Sequence, residues 1–130
     1  MKRSKIALII ESVTEGEFWG RVEFGDNLIV ANAETIEALK AEMAKNLKDF
    51  HKVKTSEIEF DIQHDISGLF DHQSFLNVTS VAKIAGINPS LMRQYVTGVK
   101  SPSSERLKAI QVAINTIGKQ LQEIKLAHSY

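Results

Sequence analysis

The hydrophobic pattern of the first thirty residues predicts three β-strands joined by tight turns. Residues 6–10 form a nearly continuous apolar run, which is typical of a strand covered on both faces. Residues 18–24 alternate between a more apolar and a more polar face, as expected of a strand with one solvated side. Polar, glycine-containing segments at 14–17 and 25–27 separate these runs, and a third short run covers 28–31. The pattern therefore indicates a three-stranded meander.

From about residue 35 the apolar spacing changes from two to 3.6, which predicts a helix. One helical face collects Ile36, Leu39, Met43, Leu47 and Phe50. Thr35 precedes this face and suits the N-cap position. Residues 57–63 then return to strict alternation and predict a half-buried strand. Residues 1–65 are thus expected to form a β-β-β-α-β module with its helix on one face of the sheet.

A second kind of pattern, from Asn77 to Pro102, predicts a helix-turn-helix. A short helix with small apolar residues ends at Gly86, where a tight turn between crossing helices needs a positive φ. The restart is marked by Asn88 as a cap and Pro89 at the first helical position. Gly98 ends the second helix. A plain helical hairpin in a small bundle is the alternative interpretation.

The outer face of the second helix carries hydrogen-bonding side chains and no carboxylate: Ser90, Arg93, Gln94 and Thr97. The whole run from His72 to Ser104 contains neither Asp nor Glu. An ordinary solvent-facing helix mixes acidic with basic residues, whereas a helix that approaches phosphates avoids acidic ones. The pattern therefore favours binding to duplex DNA over a plain bundle.

A long C-terminal helix is predicted from about Ser104 to Leu126, capped by Ser103. Its apolar residues recur at alternating steps of three and four, as in a heptad stripe: Leu107, Ile110, Ile114, Ile117, Leu121 and Ile124. Leu107 and Ile110 are expected in the core of the helix-turn-helix unit. The dimer seam is predicted to use Ile114, Ile117, Leu121 and Ile124. Packing of this stripe on the N-terminal module is the alternative.

Charge divides the chain of 130 residues in the same way as the pattern. Through Asp71 there are nine Lys plus Arg against fourteen Asp plus Glu, a net charge of −5; from His72 on there are seven against two, a net +5. The basic half suits nucleic acid, and the acidic half suits a basic partner. The absence of cysteine and of any membrane-spanning apolar run favours a cytoplasmic protein without a thiolate metal site.

The two halves together resemble the HicB family of antitoxins. The most specific part of the resemblance is Leu76 to Ala82 (LNVTSVA), followed by Gly86 to Tyr95 (GINPSLMRQY) and Gly98. The resemblance implies an α+β fold in which residues 1–65 form a partial RNase H-like, toxin-binding module. Residues 66–130 would then be a Cro-like helix-turn-helix domain for DNA binding and dimerisation.

The resemblance also implies two roles and the residues that serve them. The N-terminal module would neutralise a small basic HicA-like, RNA-cleaving toxin, and the C-terminal module would bind operator DNA and repress its own operon as a homodimer or tetramer. By position, bases would be read by Pro89, Ser90 and Gln94, with Asn88 and Arg93 adjacent. Phosphates would be contacted by Asn77, Thr97 and Lys100. No cofactor, metal or membrane is implied.

Two other functions deserve comparison with this one. A stand-alone helix-turn-helix repressor would use its N-terminal module to sense a ligand or to dimerise. A nuclease related to RNase H would need several carboxylates converging on divalent ions; the candidates are Glu11, Glu23, Asp26, Glu57, Glu59 and Asp61. The last three read better as one solvent face of a strand, and the histidines show no metal-ligand spacing. Trp19 is either a rim residue of the core or an anchor for a partner.

Overall fold

The computed structural model describes residues 4–129, which divide into two compact units between Ser74 and Phe75. The first unit contains β1 (Ser4–Thr14), β2 (Glu17–Phe24), β3 (Asn27–Ala33), α1 (Ile36–His51), a 3-10 turn (Thr55–Glu57), β4 (Ile58–His64) and α2 (Ile66–His72). The second unit contains α3 (Val78–Ala85), α4 (Pro89–Val96) and α5 (Ser104–Gln122). The predicted α+β class is therefore confirmed.

The sheet of the first unit is mixed, with the strand order β3-β2-β1-β4. The predicted meander is confirmed, because β1, β2 and β3 pair in sequence as antiparallel neighbours. In the first hairpin Glu15 and Gly16 both have positive φ, 53° and 79°, as a type I′ turn requires. β4 pairs parallel to β1 on its other side, with Ile6 opposite Phe60.

Helix α1 covers one face of this sheet and completes the core of the first unit. The Thr35 hydroxyl accepts a hydrogen bond from the Ala38 amide at 3.0 Å, so the predicted N-cap is confirmed. The core joins three residues of α1 to the inner face of the sheet: Leu39, Met43, Leu47, Leu8, Ile10, Val22 and Ala31. Phe50 was expected on the buried face but is 77% exposed, because it lies beyond Leu47, the last buried residue of α1.

The face of the sheet opposite α1 is unevenly covered, so the expectation that β1 is covered on both faces is met only in part. Ile9 is only half-buried there. Trp19 and Val30 are exposed on the neighbouring strands, and Leu28 is 61% exposed. Within the apolar run of β1, Leu8 and Ile10 are therefore buried beneath α1, and Ala7 and Ile9 are half-buried on the other face.

Helix α2 belongs to the first unit, not to the helix-turn-helix domain in which residues 66–130 were placed. It packs on β1 and buries Ile66 and Phe70. The backbone continues the edge pairing, since the Asp65 amide donates to the Ile10 carbonyl at 3.1 Å. The Val13 amide donates to the Asp71 carboxylate at 3.2 Å. The order is therefore β-β-β-α-β-α, and the unit boundary lies nine residues later than predicted.

In the second unit, α5 packs on α3, and α3 packs on α4. The core residues are Val81, Ala82, Ile87, Met92, Tyr95, Ile110 and Ala113. Leu107 was expected in this core but is half exposed, because a step of about 100° per residue places it some 120° around the helix from Ala113. α5 ends at Gln122, earlier than the predicted Leu126. Within residues 4–129 no helix is both long and apolar enough to span a bilayer.

Candidate nucleic-acid interface

The turn between α3 and α4 is held by a complete set of backbone bonds. Gly86 has φ 73°, and its amide donates to the Lys83 carbonyl at 3.2 Å. The Ile87 amide donates to the Ala82 carbonyl at 2.9 Å. These are the two bonds of a Schellman motif, in which glycine takes the left-handed position without a Cβ clash. The predicted role of Gly86 is confirmed, and the exit of the chain towards α4 is fixed.

The start of α4 is equally well defined. The Asn88 side-chain oxygen accepts a hydrogen bond from the Ser90 amide at 2.8 Å, and Pro89 occupies the first helical turn. Both predictions about this helix start are confirmed. Met92 and Tyr95 are buried and anchor the inner side of the helix. The Tyr95 hydroxyl accepts a hydrogen bond from the Arg106 guanidinium of α5 at 2.9 Å.

The outer side of α4 presents three of the four predicted polar residues to solvent, namely Ser90, Arg93 and Thr97. The Arg93 guanidinium donates to the Ser90 hydroxyl at 3.2 Å, which holds the long side chain along the helix. The Thr97 hydroxyl donates to the Arg93 carbonyl at 3.1 Å. Its single donor is therefore already used, and Thr97 offers a phosphate oxygen no hydrogen bond in this rotamer.

Gln94 differs from the other three because its side chain is half-buried. Its carboxamide oxygen is shielded from solvent and has no hydrogen-bond partner within the described structure. A buried acceptor without a donor costs about 1–3 kcal/mol. Outward rotation of the carboxamide would remove this cost and bring its donor and acceptor to the surface of α4, where a base edge could pair with both.

The other predicted contact residues surround α4. Asn77, Asn88 and Lys100 are exposed, whereas Pro89 is half-buried. The Asn77 side-chain oxygen accepts from the Ser80 amide at 2.9 Å and caps α3. Both asparagines use only their oxygen in capping, so their amide N–H groups stay available to phosphate oxygens. Arg106 was missed by sequence reasoning, because nothing in the pattern of α5 shows which residue it faces.

The residues predicted for dimerisation divide into two classes. Ile114 and Ile117 are half-buried on α5, whereas Leu121 and Ile124 are 51% and 59% exposed. Ile124 lies just after the last helical residue, where its amide still donates to the Leu121 carbonyl at 3.3 Å. The predicted stripe is therefore half-buried at Ile114 and Ile117 and exposed at Leu121, in the last turn of α5, and at Ile124, beyond it.

The carboxylates considered for nuclease chemistry do not converge on one point. Glu59 and Asp61 are exposed on β4, as predicted for its solvent face. Glu11 sits at a bulge in β1 and, with Asp65, holds the Arg21 guanidinium at 3.0 and 3.2 Å. Burial lowers the pKa of Arg21, but the hydrogen bonds and charges of its two carboxylate partners outweigh this and raise it. Among the described residues no three His, Cys, Asp or Glu side chains are placed to hold a metal ion.

Two histidines that the sequence left unconnected meet at the end of β4. His64 Nε2 and His72 Nδ1 lie 3.0 Å apart, and the rings stack with centroids 5.2 Å apart. Phe18 contacts His72 edge-on with ring centroids 4.9 Å apart. Burial lowers the pKa of His64, and the charge of His72 lowers it further against the opposing effect of Asp65. The spacing of eight residues between the two histidines carries no recognisable signal for this contact.

Comparisons with protein-family models, with curated proteins and with solved structures gave no match to the chain.

Proposed function

We propose that this chain is a cytoplasmic repressor that binds duplex operator DNA through α4, and that its first unit neutralises a small basic toxin. The observation that carries the DNA-binding part is the outer face of α4. Arg93 and Ser90 are exposed there on a helix whose start is fixed by the Asn88 cap. No carboxylate occurs from His72 to Ser104 to repel phosphates.

The geometry suggests which residues would contact bases and which would contact phosphates. With α4 in the major groove, the Arg93 guanidinium suits the two acceptors of a guanine edge. The hydrogen bond from Arg93 to Ser90 limits the conformations of the Arg93 side chain before DNA binds. Less side-chain entropy is therefore lost when Arg93 contacts DNA. The free amide groups of Asn77 and Asn88 and the ammonium of Lys100 suit the flanking phosphates. Base contacts would set sequence preference, and phosphate contacts would set affinity.

Fluorescence anisotropy on a duplex selected from a random library tests this proposal. Arg93→Ala is expected to lose about 1–3 kcal/mol on the selected duplex and much less on random duplex. Lys100→Ala is expected to weaken both duplexes alike and to reduce the salt slope by about one. Lys40→Ala in the first unit is the control and should change neither. Equal affinity of the intact protein for selected and random duplex would exclude sequence-specific repression.

The protein-binding part of the proposal is supported by exposed apolar residues on the face of the sheet opposite α1. Trp19, Leu28 and Val30 give this face an exposed apolar centre. Glu23 and Asp61 are exposed beside it, within a unit whose net charge through Asp71 is −5. An apolar centre with an acidic border fits a basic protein, whose approach opposite charge would accelerate. A second copy of the same acidic face would be repelled.

Co-purification with the short basic chain encoded in the neighbouring reading frame tests this part. Val30→Lys should weaken the complex at least tenfold, because it places a charge in the apolar centre and repels a basic partner. Phe50→Lys is the matched control, since Phe50 is an exposed apolar residue of the same unit on α1. A complex unaffected by Val30→Lys, or held by residues 75–130 alone, would contradict this role. DNA binding without any such partner would favour a stand-alone repressor.

We also propose that the DNA-binding form is a homodimer joined through the exposed end of α5. Two recognition helices about 34 Å apart would then match successive major grooves of a pseudo-palindromic site. Leu121 and Ile124 lie exposed at this end of the helix. A twofold contact between copies would remove both residues from water.

A further inference from the structure

An open depression of about 420 Å³ lies between the end of α1 and the start of β4. We call it the lysine cleft. It is lined by Lys48, Lys52, Val53, Lys54, Thr55 and Ser56. Among the described residues its lining offers three lysines and two hydroxyls and includes no carboxylate.

The charge of the lysine cleft is opposite to that of the unit around it. Through Asp71 the chain carries a net charge of −5, yet three of the nine basic residues in this segment meet in the cleft. Within residues 4–129 the ion pairs involve Arg21 and Lys40, and none involves the three cleft lysines. The three lysines are exposed and have no carboxylate partner in the described part of the chain, so their ammonium groups are available to an anion in the cleft.

Lys52 occupies a backbone position at which a lysine is unexpected. Its φ is 57° and its ψ is 28°, the left-handed conformation that glycine usually supplies at the end of a helix. A residue with a Cβ is strained in this conformation. The negative end of the helix dipole favours a cationic side chain at Lys52. The dipole does not explain the lysine at position 54, which lies beyond the helix. Lys52 therefore lines the cleft from a position that glycine would occupy with less strain.

Two backbone hydrogen bonds at the end of α1 reduce the partial negative charge that a helix C-terminus presents to an anion. The Lys52 amide donates to the Lys48 carbonyl at 3.2 Å, and the Val53 amide donates to the Leu47 carbonyl at 3.1 Å. These bonds occupy carbonyl oxygens that would otherwise repel a negative charge. The hydroxyls of Thr55 and Ser56 add neutral donors on the other side of the cleft.

We propose that the lysine cleft binds a phosphoryl group, carried either by a phosphorylated small molecule or by the backbone of a single-stranded nucleic acid. Ammonium groups and hydroxyls are the side-chain donors that phosphate oxygens take, and Val53 offers an apolar contact to the rest of the ligand. This site is separate in sequence from the α4 surface proposed for duplex DNA. It holds whether or not the chain is a repressor.

The test titrates the full chain with inorganic pyrophosphate, adenosine diphosphate and an oligothymidylate, following amide shifts by NMR. Saturable shifts are expected at residues 48–56 and at least tenfold weaker binding is expected for Lys48→Gln with Lys54→Gln. Lys52→Gly separates stability from binding, because glycine relieves the strain of the positive φ while the substitution removes the ammonium group. It should raise the melting temperature and still weaken the binding severalfold. Lys40→Gln, on the same helix outside the cleft, is the matched control.

The three probes also distinguish the two possible sources of the phosphoryl group. Binding of the two small phosphates at residues 48–56 supports a phosphorylated small molecule, and binding of the oligothymidylate alone supports a nucleic-acid backbone. The proposal is overturned if none of the three probes shifts these amides. It is equally overturned if Lys52→Gly and the double variant bind as tightly as the natural sequence, because the lysines would then only stabilise the end of α1.

Discussion

Gly68 of α2 packs directly against the carbonyl oxygen of Ile10 in β1, and a Cβ added to Gly68 would overlap that oxygen. The obstacle is backbone, which cannot move aside as a flexible side chain can. Gly68→Ala is therefore expected to displace α2 and destabilise the first unit by roughly 1–3 kcal/mol. Urea unfolding followed by the fluorescence of Trp19, which lies in that unit, measures the change.

The control for this prediction is Gly118→Ala in α5. Gly118 is also a helical glycine, but a Cβ there would meet nothing within 4 Å. Alanine should therefore stabilise α5 by nearly 1 kcal/mol, since glycine is the poorer helix former. If Gly68→Ala caused no more loss of stability than Gly118→Ala, α2 would not be packed closely on β1.

The His64–His72 contact predicts a dependence of stability on pH. Because the pKa of His64 is lowered below its ordinary 6.5 in the folded chain, the unfolded chain binds more protons just below that pH. The contribution of His64 is thus fully present above about pH 6.5 and is lost as the pH falls through the lowered value. The urea midpoint of the first unit should therefore decrease as the pH falls below about 6.5.

Two histidine variants separate this effect from general acid destabilisation. His64→Gln should flatten the decrease, because it removes the group whose pKa is lowered by burial and by His72. His128→Gln changes an exposed histidine near the C-terminus and should leave the profile as it is. A profile unchanged by His64→Gln would show that carboxylates, not this contact, control the acid response.

The hydrogen bond between Arg106 and Tyr95 predicts a link between α5 and the placement of α4. Tyr95→Phe keeps the buried ring and removes only the accepting hydroxyl, so it should cost about 1 kcal/mol of stability. Operator affinity should decrease only modestly, since Arg93 and Ser90 stay on the outer face. Arg106→Ala should give a similar loss of stability. A double variant no worse than either single one would assign both losses to the same bond.

The exposed end of α5 predicts the behaviour of the dimer. Leu121→Glu combined with Ile124→Glu should convert the protein to a folded monomer, because charges replace residues that are 51% and 59% exposed in one chain. Operator affinity should fall, as each monomer holds a single recognition helix. Sedimentation and anisotropy measure the two effects. Leu107→Glu, a half-exposed apolar residue near the start of the same helix, is the control. If the double variant remains a dimer with full operator affinity, the dimer interface lies on another surface.

Most of the secondary structure could be predicted from the sequence, because its signals are local. The Thr35, Asn88 and Ser103 caps involve backbone amides within three residues, so residue type and spacing suffice to predict them. The positive φ of Gly86 follows from the same kind of signal. The three-stranded meander followed from alternation and turn residues, which are also short-range.

Features that depend on contacts between residues distant in sequence were seen only in the tertiary structure. Helix α2 joined the first unit because the Gly68 backbone fits against Ile10, fifty-eight positions earlier in the chain. Only folding brought His64 and His72 to 3.0 Å and buried the oxygen of Gln94. Periodicity shows which side of an element is apolar, but it does not show whether anything covers that side. Coverage depends on where the chain returns, and for this reason the coverage of β1 was predicted only in part and the position of Leu107 was predicted wrongly.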